Sequence, residues 1–410
     1  MPGWRAATTA GPSPRCCPTT RKLERDLDVA APYHGATGPV PVKRWPRAEW
    51  LPPQRAFEAA CLAAGFPASP DHNAPDAHGV GPLPLNTLDG VRHSTSLAYL
   101  SAARGRPNLT ILADCRATRV LFDGQRATGV VARQGGATTT YLADEIILSA
   151  GAVGSPHLLM LSGIGPAGQL RAVGLPVLAD RPGVGQNLRD HPHVYATWRP
   201  HPGYQMDPDL PRYQLGLRYT VPGSSLRNDM QLLMTSFATD RVDRGGDGRT
   251  PVGITIQPVL NLARSSGRLT IESSDPTVQP AIDLNLLDDP TDRSRLRDAL
   301  HLALDLARHP AFADILGERL APGDDDFASE AALDAWMLRE VTHTNHICGT
   351  CAMGPSSDPL AVVDQTGRAH GFDHLRVVDL SIVPDCVRAN TNATAMMIGE
   401  RIADLIAGEN

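Results

Sequence analysis

Hydrophobic and polar positions change period along this chain, and the changes mark its elements. Gln54 to Ala64 carries apolar residues at helical spacing, and a further helix is expected over Ser94 to Ala103. Around them residues 34–92 are rich in Pro and Gly, with Asn73-Ala-Pro-Asp and Gly79-Val-Gly-Pro reading as loops. Leu109-Thr-Ile-Leu112 is a short apolar run expected as a strand. Thr118 to Phe122 and Ala127 to Ala132 flank Asp123-Gly124, a favoured tight turn, and read as a hairpin. Gly135-Gly136 is the next turn, and Glu145 to Gly151 is a buried strand ending on glycine. Ser155-Pro156 supplies an N-cap and first-turn proline for a short helix through Leu161. Strand-like alternation returns at Asp229 to Phe237 and Val252 to Leu262. Arg293 to Ala307, Glu330 to Arg339 and Ala393 to Ile406 are helical, with Leu375 to Asp379 a late strand. Residues 1–33 show no period and read as unstructured.

Composition narrows the class. The 410 residues are 42% hydrophobic and 20% charged, enough for two or three globular domains. Net charge is −6 without a basic block, which argues against a nucleic-acid or anionic-membrane partner. Only Lys22 and Lys43 are lysine, and neither follows a glycine loop, so a P-loop nucleotide hydrolase is excluded. That bias towards arginine reads as the mark of a GC-rich genome. Seven cysteines are too few for a disulfide framework, so reduced thiols and a cytoplasmic location are expected. The most apolar window, Ile146 to Gly165, is broken by glycines, Pro156 and His157, so no transmembrane segment is expected.

Three constellations could carry chemistry. In Gly151-Ala-Val-Gly-Ser-Pro-His-Leu-Leu-Met-Leu-Ser-Gly-Ile-Gly165, small residues where a strand turns into a helix bring backbone N–H groups near a ligand, typically a dinucleotide or flavin. Tight helix–strand packing explains the same residues equally well. Gly163-Ile-Gly165 and Gly183-Val-Gly185 read only as fragments of a dinucleotide fingerprint. The second is His343-Thr-Asn-His346-Ile-Cys348-Gly-Thr-Cys351, which invites a zinc reading or a redox Cys-x-x-Cys reading, though no second zinc knuckle accompanies it. The third joins Asp379, at a strand end, to Asn390-Thr-Asn392 ahead of the last helix. There Asn390 either caps the helix or donates its amide to a substrate oxygen.

In order, these segments resemble the glucose–methanol–choline (GMC) family of flavin oxidoreductases. The Gly151–Gly165 stretch fits the family's second signature. Pro182-Gly-Val-Gly-Gln-Asn-Leu-Arg-Asp-His191 is similar to the segment that follows it. His346-Ile-Cys-Gly-Thr-Cys-Ala-Met-Gly354, Val363-Asp364, Leu375 to Pro384 and Asn390-Thr-Asn392 match the C-terminal region. The resemblance runs from about Arg21 to the end. It implies FAD as cofactor and oxidation of an alcohol C–OH, with hydride passing to flavin N5. His346 matches the general base and Asn390 the position that orients the substrate oxygen. Metal is then not needed, and Cys348 and Cys351 become packing residues. Asp379 with Leu380 helps place the flavin, and the Asn390–Thr391 backbone lies near its isoalloxazine. Ala150 and Gly151 border the adenosine end, and the backbone at Ala117 contacts the adenine. The substrate is expected to be a small alcohol, and oxygen, a quinone or a carrier the electron acceptor.

The family's opening strand, Gly-x-Gly-x-x-Gly motif and acidic ribose residue are not found, so an N-terminally truncated flavin domain is expected. Cys16-Cys-Pro-Thr-Thr20 matches an out-of-frame reading of a Val-Leu-Pro-Tyr-Tyr relative, which suggests a frameshift restored at about Arg21. The fold expected is α/β. An atypical segment (1–33) and a loop-rich cover (34–92) precede a split, Rossmann-like FAD-binding domain (93–190 and 341–410). An α+β substrate domain on an antiparallel sheet (191–340) interrupts it. The competing reading is a non-catalytic remnant or binding module that does not hold flavin.

Overall fold

The computed structural model describes residues 17–240 and 245–409, and the chain divides into two compact units. The first comprises the chain up to Ser94, His191–Arg264 and Leu286–Thr344. Its frame is an antiparallel sheet in the order Leu316–Ala321, Ala196–Pro200, Pro251–Leu260, Met230–Thr239, Tyr213–Tyr219 and Gly79–Pro82. The short strands Pro192–His193 and Thr342–His343 extend it. Alternation sorts its faces. Met230, Leu232 and Met234 join Ile254, Ile256, Ala196 and Trp198 in one buried core. The helix Pro290–Ala307 covers this core with Leu296, Ala299, Leu300 and Ala303, and Pro52–Ala63 adds Phe57 and Ala60. Pro290–Ala307 starts earlier than the apolar period alone indicates, because the Asp289 side chain caps the Thr291 N–H and Pro290 occupies the first turn.

Residues 34–92 are more than a cover. Gly79–Pro82 pairs with Tyr213–Tyr219, and Val80 is buried in the core. Of the expected unstructured leader, residues 1–16 lie outside the described residues. Cys17–Leu23 is a helix, and Glu24–Asp26 pairs in parallel with Val40–Val42. A buried charge cluster holds this region. His34 places Nδ1 3.0 Å from Glu24 and 3.2 Å from Asp26, and Nε2 2.9 Å from Asp71. Arg44 reaches Asp26 at 2.9 Å and Asp71 at 2.7 Å.

The second unit comprises Thr95–Asp190, Ser265–Asn285 and Asn345–Asn410. Its centre is a parallel pair, Ile146–Leu148 beside Leu375–Val377, with the helices Gly151–Leu161 and Asn392–Glu409. Ile146, Leu148, Leu159, Met160, Val377, Ile398 and Ile402 share one core. The expected hairpin forms and extends into three antiparallel strands, Cys115–Asp123, Arg126–Gln134 and Ala137–Leu142. Gly124 sits at its turn with φ +58°. The substrate-domain boundaries expected from sequence differ: the chain up to Ser94 and residues 341–344 group with that domain, and one internal stretch does not. The pair Arg268–Thr270 and Ala281–Asp283 sends Leu269 into this second core, so Ser265–Asn285 groups here.

Two local expectations are corrected. Leu109 to Leu112 forms no strand; Leu109, Ile111 and Leu112 are exposed and find no pairing partner for an extended backbone. Over Ser94 to Ala103 the helix is a wide π turn, Ser96–Leu100, closed by Ser101–Ala103.

Candidate active site

The Gly151–Leu161 helix starts four residues before Ser155, so Ser155 is not its N-cap and Pro156 lies inside it. Gly151 opens the helix with φ +78°, a conformation that favours glycine. Its N–H donates to Asp379 Oδ2 at 2.9 Å, and the Ser155 hydroxyl donates to the same oxygen at 2.5 Å. Ser155 Oγ in turn accepts the Ala150 N–H at 3.0 Å. The other Asp379 oxygen caps the turn Leu380–Ile382, accepting the Ser381 N–H at 2.7 Å. The carboxylate of Asp379 therefore faces the protein and locks a strand end to a helix start. A negative charge at a helix N-terminus is also favoured by the helix dipole.

Pro156 has no N–H to give the carbonyl of Ala152, one turn back. Thr350 fills the gap: its hydroxyl donates to the Ala152 carbonyl at 2.6 Å. That bond ties the His346 segment to the same helix. The tie continues along the chain, with Gly349, Cys351 and Met353 donating N–H groups to the carbonyls of Leu380, Ser381 and Ile382. Asn187, at φ +59°, adds its side-chain amide to the carbonyls of Gly349 and Pro384.

His346 sits in the loop that these bonds fix. Its backbone N–H donates to buried Asp190 at 3.2 Å. Burial holds its imidazole below the usual histidine pKa, against an opposing pull from Asp190. The ring is therefore neutral at physiological pH, the form a proton acceptor requires. The Cys386 thiol points to the His346 carbonyl at 4.0 Å. Cys348 and Cys351 are both buried, and burial with the nearby Asp379 charge pushes the Cys351 thiol up.

Of the residues singled out by sequence, Ala150, Gly151, Asp379 and Leu380 are brought together directly, and His346 joins them through Gly349 and Thr350. Asn390 is exposed ahead of Asn392–Glu409, while Thr391 is buried and its carbonyl accepts the Ala395 N–H. Ala117 is exposed on Cys115–Asp123, paired with Ala132, and stands apart from this bonded network. Sequence reasoning missed Asn187, Asp190 and Thr350, which act through backbone groups. The available signal for Thr350 was Pro156, whose missing N–H demands a donor from elsewhere.

The helix start can receive a ligand. A Cβ placed on Gly151 meets no atom within 4 Å, Ala150 is exposed, and first-turn N–H groups of a helix lack intrahelical acceptors. Gly163-Ile-Gly165-Pro-Ala-Gly168 has dinucleotide-fingerprint spacing, but it follows a helix. A Cβ on Gly163 would meet the Pro176 carbonyl at 2.7 Å, so close backbone packing accounts for that glycine.

The N-terminal and C-terminal models of the GMC oxidoreductases match residues 15–193 and 263–399. The N-terminal domain of the family is thus represented. The expectation of its truncation is not supported, and the match begins ahead of Arg21. An oxygen-dependent choline dehydrogenase of Photobacterium profundum is 34% identical over 96% of this chain and 73% of its own length. An uncharacterised GMC-type oxidoreductase of Rhodococcus erythropolis is 36% identical over 96% of this chain and 76% of its own. Among solved structures, pyridoxine 4-oxidase from Mesorbium loti superposes with a TM-score of 0.87 at 29% identity, covering 98% of this chain and 80% of that one. The mixed α/β architecture with its antiparallel sheet is the GMC fold, and the chain belongs to the GMC oxidoreductase family.

Proposed function

We propose that this protein oxidises the CH–OH group of a small alcohol, with His346 as general base and Asn390 orienting the substrate oxygen. FAD is the cofactor of GMC oxidoreductases, and when bound it supplies the two-electron acceptor for such an oxidation. Ala150 and Gly151 at the open helix start would hold its adenosine side, with the Ala117 backbone towards the adenine. The Asp379 carboxylate is consumed by Gly151, Ser155 and Ser381, so Asp379 and Leu380 would act on the cofactor by fixing the backbone. The Asn390–Thr391 backbone would lie near the ring system.

The observation that carries this reading is the half-buried imidazole of His346, whose pKa desolvation holds below the usual histidine value, on a loop fixed by Asp190, Asn187 and Thr350. A neutral ring takes the hydroxyl proton, and the Asn390 amide can donate to the oxygen that loses it. The choline dehydrogenase relatives favour a small hydroxylated substrate, with oxygen, a quinone or a carrier as acceptor. Among the described residues no helix is long and apolar enough to cross a membrane, and the described cysteines are free thiols, in keeping with a cytoplasmic setting.

The test is a panel of alcohols with an artificial electron acceptor, run on FAD-reconstituted protein. Turnover of an alcohol that His346→Ala loses by about 10²–10⁴-fold, with flavin still bound, supports the assignment. A colourless protein that takes up no FAD defeats it and leaves the binding-module reading.

A further inference from the structure

Asn187 serves two loops with one amide. Its own backbone is well mounted. The neighbouring Leu188 exchanges both backbone hydrogen bonds with Gly267, at 3.0 and 2.8 Å, and Gly185 donates its N–H to the Thr350 carbonyl at 2.8 Å. Asn187 Oδ1 accepts from Arg189 Nε at 2.9 Å. A guanidinium only donates, so this bond fixes which end of the amide is the NH2. That NH2 donates to the Gly349 carbonyl at 3.3 Å and to the Pro384 carbonyl at 3.1 Å. Gly349 lies three residues after His346, and Pro384 six residues before Asn390, on a segment that forms no helix or strand. Neither carbonyl has another donor among the described residues.

The steric fit at the same place is equally close. Gly349 has φ +89°, and a Cβ on it would meet the Asn187 carbonyl oxygen at 2.4 Å and Nδ2 at 2.9 Å. The loop carrying His346 therefore rests on Asn187 at a distance that glycine alone allows.

We propose that Asn187 is a positioning residue for the oxidation: its amide sets the separation between the His346 loop and the segment leading to Asn390, and so the fit of both side chains around one substrate oxygen. It acts through the two carbonyls. The proposal rests on the roles given to His346 and Asn390 above. A displacement of about 1 Å in such a constellation costs on the order of a hundredfold in rate.

A left-handed backbone would by itself explain an asparagine at φ +59°. The two accounts part at glycine, which suits that backbone and carries no amide. If conformation were the whole role, Asn187→Gly would be harmless. If the amide positions the loops, it is not.

The experiment compares Asn187→Gly and Asn187→Asp with the parent, all FAD-loaded, with every rate taken per bound flavin. Asn187→Asp keeps the shape and sets an oxygen against both carbonyl oxygens. Anaerobic single-turnover reduction of the flavin by an alcohol should slow about 10–100-fold in both variants, with Asn187→Asp losing at least as much as Asn187→Gly. The loss should lie in the limiting rate and not in the half-saturating alcohol concentration. Hydrogen–deuterium exchange should quicken in peptides covering 346–350 and 384–391 and stay parental in the strands between Cys115 and Leu142. A parental rate in Asn187→Gly, a loss confined to half-saturation, or exchange raised evenly through these peptides and strands would each overturn the proposal. The exchange measurement needs no assigned reaction. Loosened loops in a protein whose parent oxidises no alcohol defeat the functional reading, and the positioning role with it; an active parent whose Asn187→Gly keeps its rate defeats the positioning role alone.

Discussion

Pro156 and Thr350 should be energetically coupled, although they are far apart in sequence. Proline deprives the Ala152 carbonyl of its helical donor, and Thr350 replaces that donor at 2.6 Å from a fully buried position. Thr350→Val keeps the shape and removes the hydroxyl. It leaves a buried carbonyl without a donor, at a cost of about 1–3 kcal/mol. In a Pro156→Ala background the N–H of residue 156 can bond to Ala152 in the ordinary helical way. There Thr350→Val should cost less than about 1 kcal/mol, because only a redundant bond is lost. The difference, about 1–2 kcal/mol, exceeds the roughly 0.3–0.5 kcal/mol scatter of independent sites. Thermal unfolding of the four FAD-loaded proteins reads it out, at roughly 2–4 °C per kcal/mol for a unit of this size. Additivity of the two substitutions within about 0.5 kcal/mol would refute the account of how this helix tolerates its proline.

Other consequences can be measured in parallel. Because burial lowers the His346 pKa, kcat/KM should be high above that pKa and fall as pH drops through a value below about 6.5; a limb above pH 7 assigned to this residue would contradict it. Burial alone would lower the His34 pKa, but hydrogen bonds donated to Asp71 and Glu24 outweigh it and raise it. The stability it contributes is therefore complete below about pH 6.5 and is lost as pH rises through the raised value. Unfolding of His34→Gln should show a flatter pH dependence there, and parallel curves would sink the assignment. Arg376, 2% exposed, is held by Glu145 at 2.6 Å and the Thr366 carbonyl at 3.1 Å. Glu145→Ala removes a carboxylate partner of this buried cation and should destabilise by about 1–3 kcal/mol; a melting temperature unchanged from the parent, against roughly 2–4 °C per kcal/mol, would show that the Glu145 bond contributes nothing.

Much of the fold was legible where one local rule decides. Asp123-Gly124 placed the hairpin, the alternation in Met230–Thr239 and Pro251–Leu260 placed the sheet, and helical spacing placed Pro290–Ala307 and Asn392–Glu409. Leu109 to Leu112 misled because apolar residues make a strand only where a neighbour accepts their backbone. Ser155 misled because a hydroxyl before proline resembles a cap, and only the distant Asp379 turns it into a bridge. Ala150, Gly151, His346, Asp379 and Leu380 were named from sequence, but the network that joins them was not legible there. Its bonds run through backbone carbonyls and N–H groups of Ala152, Gly349 and Leu380, which carry no side-chain signature.

The chain passes five times between the two units, so each is assembled from three separated stretches. During translation neither can close early. The parallel strand Ile146–Leu148 has left the ribosome long before its partner Leu375–Val377 is made. Until then its unpaired edge is open to wrong partners. Pairings this distant in sequence also fold slowly. The edge stays open until residue 377 is made, and a stop codon before residue 375 should yield insoluble protein rather than a smaller folded unit.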